Sequence, residues 1–303
     1  MSARIRIGTC SWADESLSKH WYPKGISAAE RLPYYAERFD TVEVDSTFYR
    51  LPALEMVERW AERTPEGFVM HVKAFAMMTR HPVRLEQLPP DLREQAATDE
   101  RGRVERPPRD LRAEVFARFH AALEPLRTAG KLGGILLQFP PYVVPKPVSL
   151  DYLEWAQEQL GGDDALVEFR HRSWLDDERR AETLAFLEQR GLTHVVTDSP
   201  RMAQARNVVP TVVARTTPIT YVRLHGRNAS TWNVRGRSAA ERFDYLYSEE
   251  ELRELVPSLR ELADGAEQAF VLFNNNGRSP DGRGGWVAQA ATNAAQLRGL
   301  AAT

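Results

Sequence analysis

Short apolar segments alternate along the chain with longer segments in which apolar residues recur at helical spacing. The apolar segments predict buried strands at residues 5–9, 41–45, 68–73, 133–139, 165–168, 193–197, 221–225 and 267–273. The helical spacing predicts helices at residues 34–39, 54–63, 111–127, 150–160, 178–190, 248–262 and 286–300, after a turn-rich stretch that runs to Gly25. Buried strands separated by helices are typical of a parallel sheet that is covered on both faces.

Eight strand–helix units in a chain of 303 residues predict a single TIM-type (β/α)8 barrel over residues 1–303. An open, doubly wound sheet is the alternative. Such a sheet usually carries a glycine-rich phosphate loop after its first strand, and residues 8–12 (Gly-Thr-Cys-Ser-Trp) are not one. Two segments depart from the repeat. Residues 79–110 predict an insertion on the barrel rim with a short helix near 90–96, and residues 199–218 show no convincing sixth helix, so we expect irregularity around unit six.

Composition narrows the class of protein. The chain is 43% hydrophobic and 27% charged with a formal net charge of -2, so nucleic acid is not an expected partner. The single cysteine, Cys10, excludes a disulfide within the chain and fits a reducing compartment. No apolar stretch approaches membrane-spanning length, and the N-terminus lacks a signal-peptide core. We expect a cytoplasmic protein without membrane contact, and a monomer.

Polar side chains follow or close several of the predicted strands. Side chains two positions apart on a strand share a face. The pairs are Glu43 with Asp45, His71 with Lys73, Glu168 with Arg170, and Arg223 with His225. Charges in buried strands are costly unless they are paired or used. Because the C-terminal ends of barrel strands meet at one mouth, the pattern predicts one polar pocket there.

The same strand ends carry the sequence motifs of a known family. They are Gly-Thr-Cys-Ser-Trp at 8–12, Trp-Tyr-Pro at 21–23, Val-Glu-Val-Asp-Ser-Thr-Phe-Tyr at 42–49, Gln-Phe-Pro-Pro at 138–141, Glu-Phe-Arg-His-Arg-Ser-Trp at 168–174, Tyr-Val-Arg-Leu-His-Gly at 221–226 and Phe-Asn-Asn at 273–275. With these phrases the chain resembles the YecE-like proteins, the domain-of-unknown-function family number seventy-two, from end to end. The resemblance implies a TIM-type barrel and no established activity. The chain departs from it at Asp45, where the family phrase usually has asparagine.

Three residues are candidates for catalysis. Glu168 and His225 are the types that exchange protons near neutrality, and Lys73 can stabilise developing negative charge or form a Schiff base. Arg170 and Arg223 are suited to holding an anion. The structural alternatives are internal salt bridges for Glu168 and the arginines, and a Lys73 that only neutralises nearby carboxylates.

The remaining candidates would line the pocket and bind ligand. They are Trp12, Glu43, Asp45, Tyr49, His71, Gln138, Trp174, Asp198, Asn274 and Asn275. A divalent metal is a minor hypothesis, with Glu43, Asp45, Asp198, Glu168 and His225 as possible ligands. No metal or nucleotide motif has the required spacing, so no cofactor is predicted.

The leading functional hypothesis is an enzyme that acts by acid/base chemistry on a small polar, anionic ligand, such as a phosphorylated sugar or a nucleotide-like molecule. Isomerase, lyase and hydrolase reactions all fit. A metal-dependent nuclease or repair barrel is one alternative, and a non-catalytic ligand-binding or interaction protein is another.

Overall fold

The computed structural model describes residues 2–104, 106–202, 205–234 and 239–302. Its centre is an eight-stranded parallel sheet. The strands are β1 (Ile5–Thr9), β2 (Thr41–Val44), β3 (Val69–Lys73), β4 (Leu132–Gln138), β5 (Ala165–Glu168), β6 (Thr193–Asp198), β7 (Ile219–Leu224) and β8 (Gln268–Phe273). Each strand pairs with its sequence neighbour from β2 to β8, and β8 pairs with β1. The predicted TIM-type barrel is confirmed.

The barrel is nearly closed where β1 meets β2. These strands are the two ends of the hydrogen-bonded order, and Gly8 of β1 lies against the backbone of Thr41 on β2. A Cβ atom on Gly8 would lie 2.1 Å from the carbonyl oxygen of Thr41. The close approach of the two strands therefore requires glycine at this position.

Helices lie between the strands and follow the last one. They are α1 (Glu15–His20), α2 (Ala28–Ala36), α3 (Leu54–Glu62), α4 (Arg109–Ala122), α5 (Glu124–Thr128), α6 (Pro147–Gln159), α7 (Arg180–Gln189), α8 (Ala229–Trp232), α9 (Ala239–Arg242), α10 (Glu249–Ala263) and α11 (Gln289–Ala302). Local signals set their ends. Ser248 and Glu251 form a capping box at the start of α10, and α7 stops just before Gly191, which has a φ of +63°.

Some helix boundaries differ from the prediction. The stretch before Gly25 contains α1, which is capped by Asp14, and α2 begins earlier than expected at a capping box of Ser27 and Glu30. The helix predicted for 111–127 is divided between α4 and α5, with Pro125 unable to donate a backbone hydrogen bond. The start of the last predicted helix is instead a short strand, Trp286–Ala288, which pairs with Arg278–Pro280.

The two irregular segments have distinct structures. Residues 79–110 include a short antiparallel pair, Val83–Arg84 with Arg103–Val104, and a 3-10 helix at Pro90–Gln95, close to the short helix predicted there. Leu88, Leu92 and Val104 of this segment are buried in the main core. The described residues of the β6–β7 connection, 199–202 and 205–218, contain no helix, which confirms the irregularity around unit six.

The core has an outer and an inner part. The larger apolar cluster joins strands to helices. A second cluster fills the barrel interior, and its members come from alternate positions on the strands: Cys10, Val69, Leu136, Leu166, Val195, Ile219, Tyr221, Phe270 and Leu272. Polar residues follow on the same faces at the C-terminal ends, which we call the barrel mouth. Within the described ranges, no helix is both long and apolar enough to cross a membrane.

Candidate functional site

Arg223 is the centre of a buried ionic network below the barrel mouth. Its Nε and Nη2 atoms donate to the two carboxylate oxygens of Glu43 at 2.9 and 2.7 Å, and its Nη1 donates to Glu168. The Tyr221 hydroxyl also donates to Glu43, at 2.8 Å. All four side chains are buried. One guanidinium thus connects β2, β5 and β7 across the barrel.

Glu168 accepts from several further donors. Gln138 Nε2 donates to it at 2.8 Å, Arg170 Nε lies 2.9 Å from the same oxygen, and His225 Nε2 lies at 3.2 Å. Burial would raise the pKa of Glu168, but Arg223 and Arg170 outweigh burial and hold that pKa well below its usual range. Glu168 is therefore a permanent carboxylate at neutral pH.

His225 is held as an uncharged imidazole. Asn274 Nδ2 lies 2.9 Å from Nδ1, and this amide orientation leaves the ring proton on Nε2, which faces Glu168. Burial is the largest effect on the His225 pKa and lowers it to about 3. The ring also stacks on Phe243, with centroids 5.3 Å apart. Both nitrogens are engaged within the protein.

Lys73 and Asp45 differ from this network because neither side chain has a hydrogen-bond or ion-pair partner within the part of the chain that the structure describes. The Lys73 ammonium lies 4.5 Å from the centroid of the Phe48 ring. Burial and the Arg223 cation lower the Lys73 pKa. Burial raises the pKa of half-buried Asp45 to about 6, with Lys73 acting in the opposite direction. Two groups of opposite sign thus remain available to a ligand.

Further cations surround Lys73 and Asp45. Arg170 lies over Trp232 and Phe243, with its Cζ 5.4 and 5.7 Å from their ring centroids. Burial and the nearby Arg223 and Arg242 lower the pKa of Arg170, although Glu168 opposes this. The cations Lys73, Arg170 and Arg242 therefore lie on one side of the buried network.

The sequence analysis missed four residues of the mouth: His81, Trp232, Arg242 and Phe243. His81 meets Phe48 edge-to-face at 5.0 Å, and burial together with Lys73 and Arg170 lowers its pKa to about 3. The other three lie beyond β7, where the Trp232 and Phe243 rings contact His225 and Arg170. A search for polar residues at the ends of strands cannot find residues that lie further along the chain and reach the mouth through tertiary packing.

Several predicted ligand-binding residues do lie near the mouth. Gln138 and Asn274 contact Glu168 and His225 as described above. Tyr49 is 59% exposed, and its pKa is raised by burial and by the Asp45 carboxylate. Trp12 is half-buried and packs edge-to-face on Trp60, with centroids 5.7 Å apart.

The structure does not bring four other predicted residues to the mouth. His71 is buried in the barrel between Tyr221 and Phe270, and Trp174 is buried against Phe169 at a centroid distance of 4.1 Å.

Asp198 and Asn275 form separate structural contacts. Asp198 accepts from Arg227 Nε at 2.9 Å and from the Tyr247 hydroxyl at 2.7 Å. In the strand register Asp198 lies opposite Leu224, whereas Thr197 lies opposite Arg223, so Asp198 is on the outer face of the barrel. Asn275 donates to Asn293 at 2.9 Å. Both residues fasten loops rather than face the mouth.

The side chains of residues 2–104, 106–202, 205–234 and 239–302 do not form the metal site that the sequence offered as a minor hypothesis. No three His, Cys, Asp or Glu side chains there are placed to hold a metal ion together. Of the proposed ligands, Glu43 and Glu168 are bound by Arg223, and Asp198 is bound by Arg227.

The fold and the mouth define a TIM-type barrel with a buried Glu–Arg–Glu network beneath a cation-rich opening. The chain belongs to the family described as "Protein of unknown function DUF72", whose model matches residues 6–302.

Its relatives are bacterial proteins. The UPF0759 protein YunF of Bacillus subtilis (strain 168) is 34% identical over 276 residues, which is 90% of this chain and 89% of YunF. The UPF0759 protein YecE of Escherichia coli (strain K12) is 30% identical over 204 residues, which is 67% of this chain and 62% of YecE. The crystal structure of a DUF72 family protein from Thermotoga maritima is 30% identical, with a TM-score of 0.76 and 99% of each chain covered.

Proposed function

We propose that this protein is an enzyme that binds a small anionic molecule at the barrel mouth and transforms it by proton transfer. The observation that supports this proposal is the contrast between two layers. The lower layer, Glu43, Glu168 and Arg223, is internally paired. Above it, the side chains of Lys73 and Asp45 have no hydrogen-bond or ion-pair partner among the described residues. Unpaired, partly buried charges are costly, and clusters of this kind are characteristic of functional sites.

The cations would bind the anionic group of the ligand. Lys73 provides a point charge, and Arg170 has its Nε on Glu168, which leaves its terminal nitrogens to bind a phosphate or carboxylate. Trp232 and Phe243 hold the Arg170 guanidinium from the other side. Arg242, an exposed residue, would add to the positive field as the ligand enters.

Asp45 is the group best suited to exchange a proton with the ligand. Its pKa of about 6 lies close to neutral pH, so both protonation states are accessible there. Glu168 and His225, which the sequence favoured for this role, have pKa values shifted far from neutrality and are fully buried. In the proposal they are positioning residues that fix Arg170, and Lys73 stabilises negative charge that develops on the ligand.

A binding screen tests the first half of the proposal. Thermal shifts are measured with sugar phosphates, nucleoside phosphates and the corresponding unphosphorylated compounds. We expect stabilisation by phosphorylated compounds and its loss in Lys73→Met, while Lys24→Met, which removes an exposed lysine, retains it. No stabilisation by any phosphorylated compound, or equal stabilisation of Lys73→Met, would contradict the assignment.

A turnover assay with each compound that binds tests the second half. Asp45→Asn should bind the compound but lose about two to four orders of magnitude in kcat, because it cannot exchange a proton. Unchanged kcat in Asp45→Asn would refute the acid/base role. Binding at the mouth without any turnover by the wild type would favour the non-catalytic binding protein instead.

A further inference from the structure

A second cationic cavity lies on the barrel rim, away from the mouth. It is a cleft of about 630 Å³ between residues 80–104 and 106–107 on one side and the first turns of α4 and α6 on the other. Its polar lining consists of Arg80, Arg103, Arg106, Arg112, Tyr142 and Tyr152. We call it the arginine cleft. The described residues that line it include no carboxylate.

Two of the four arginines of the cleft lie over one aromatic ring. The Cζ atoms of Arg80 and Arg112 lie 5.4 and 5.2 Å from the centroid of Tyr152. Tyr152 is fixed by its hydroxyl, which donates to the carbonyl of Met78 at 2.7 Å. Arg109 also acts electrostatically on this tyrosine. Two like charges therefore lie against this ring, and a third, Arg109, lies over the ring of Trp155 at 4.8 Å.

Little within the described protein compensates this charge. Arg103 is paired with Asp99 at 2.9 Å. The Nε of Arg112, in contrast, is buried with no hydrogen-bond partner among the described residues. α4 and α6 both begin at the cleft, and helix N-termini add partial positive charge. A buried donor and clustered like charges are both unfavourable without an anion.

We propose that the arginine cleft binds a polyvalent anion, namely the phosphate groups of a small organic phosphate, at a site distinct from the barrel mouth. Guanidinium groups match phosphate oxygens in geometry and keep their charge at every physiological pH. The two sites lie on opposite sides of the chain at residues 80–81. Arg80 contacts Tyr152 in the cleft, whereas the next residue, His81, contacts Phe48 at the mouth. The proposal does not depend on the enzymatic function proposed above.

Calorimetric titration with sodium tripolyphosphate at 0.15 M salt tests binding. Arg106→Gln and Arg112→Gln should each weaken the affinity about tenfold, the effect of losing one charge-assisted hydrogen bond. Arg106 is exposed, so its substitution leaves the fold intact even if Arg112→Gln does not fold. Arg59→Gln removes an equal charge from an exposed position on α3 and should bind like the wild type.

A tungstate soak of crystals of the full chain locates the anion. An anomalous peak within hydrogen-bond distance of Arg106 or Arg112 supports the proposal. The proposal is overturned if tripolyphosphate produces no binding heat, if Arg106→Gln binds as tightly as the wild type, or if tungstate is found at the barrel mouth and not in the cleft. The last result would leave the proposed enzymatic site intact.

Discussion

Two carboxylates near the barrel mouth have opposite electrostatic environments. Glu168 is fully buried but contacts Arg223 and Arg170, so its charged form is favoured. Asp45 makes no ion pair among the described residues, and burial outweighs the opposing effect of Lys73, so its charged form is disfavoured. Environment rather than residue type therefore distinguishes a structural carboxylate from one that can take up a proton near neutral pH.

Replacing Asp45 by asparagine should stabilise the protein at neutral pH. The folded pKa of about 6 exceeds the usual 3.8, so folding becomes less favourable as pH rises between these values. At pH 7.5 we expect the free energy of unfolding of Asp45→Asn to exceed that of the wild type by about 1–3 kcal/mol. The gain should be much smaller at pH 4, where the folded Asp45 is protonated and the unfolded Asp45 is partly protonated, and it should disappear only below the unfolded pKa of 3.8.

Urea unfolding at pH 4 and 7.5 measures this difference. Asp151→Asn, at an exposed position on α6, serves as the control and should show no such pH-dependent gain. A lower stability of Asp45→Asn at pH 7.5 would show that the Asp45 charge stabilises the fold.

Replacing Arg223 by methionine should destabilise the barrel strongly. The substitution leaves Glu43 and Glu168 buried without their shared cation. Breaking a buried ion pair from one side costs about 3–5 kcal/mol. Urea unfolding measures the loss, and Arg4→Met, which breaks an exposed ion pair with Asp40, should have almost no effect. A loss as small as that of the control would mean that the network does not hold the strands together.

At the scale of elements, the sequence predicted the strands to within one or two residues. Each strand is a short apolar run bounded by polar or turn residues, and burial on both faces makes that pattern unambiguous. α1 was missed because it has six residues and owes its stability to tertiary contacts. Leu17 is buried, and the Ser16 hydroxyl donates to the carbonyl of Gly277 at 2.6 Å. Such distant contacts leave no local signal.

Two glycine substitutions should have opposite effects on stability, because Gly8 lies in the close contact of β1 with β2 and Gly299 lies in open space on α11. In Gly8→Ala the new methyl group would lie 2.1 Å from the Thr41 carbonyl oxygen, so the strands must separate and stability should fall. In Gly299→Ala, at an exposed position within α11, nothing lies within 4 Å, and stability should rise by about 0.5–1 kcal/mol. Thermal unfolding compares the two variants. Equal melting temperatures for Gly8→Ala and the wild type would show that the strands can separate without cost.

For the molecule as a whole, parallel topology explains which site residues were predictable. The strand ends bring Glu43, Glu168 and Arg223 together although they are far apart in sequence, and the sequence shows this because all eight strands point the same way. Asp198 was misplaced because one residue of register changes the face. Trp232, Arg242 and Phe243 were missed because they lie in or directly after the short helices α8 and α9, and a pattern of strand ends does not report on such helices.

Buried histidines should make the whole molecule sensitive to acid. Mainly because of burial, the pKa values of His71, His81 and His225 are lowered to about 3 and that of His194 to about 4. The unfolded chain protonates these rings near pH 6.5. Between pH 6.5 and 4 the unfolded state therefore binds more protons at these sites, so their contribution to stability falls as the pH is lowered.

Carboxyl groups with raised pKa values, chiefly Asp14 and Asp45 and to a lesser extent Asp164, oppose this trend. The pKa values of Asp14 and Asp45 are raised to about 7 and about 6, so the folded state takes up protons there. For these six groups alone, four histidines minus the two carboxyls Asp14 and Asp45 leave a net of two protons, so their combined contribution to the free energy of unfolding should fall by about 2–3 kcal/mol per pH unit as the pH is lowered near pH 5. His194→Gln should reduce this slope by about 1.4 kcal/mol per pH unit, since it removes one proton from the balance. Urea unfolding from pH 4.5 to 6.5 measures the slope, with His20→Gln as a surface control. An equal slope in His194→Gln and the wild type would mean that the buried ring is already protonated in the folded state.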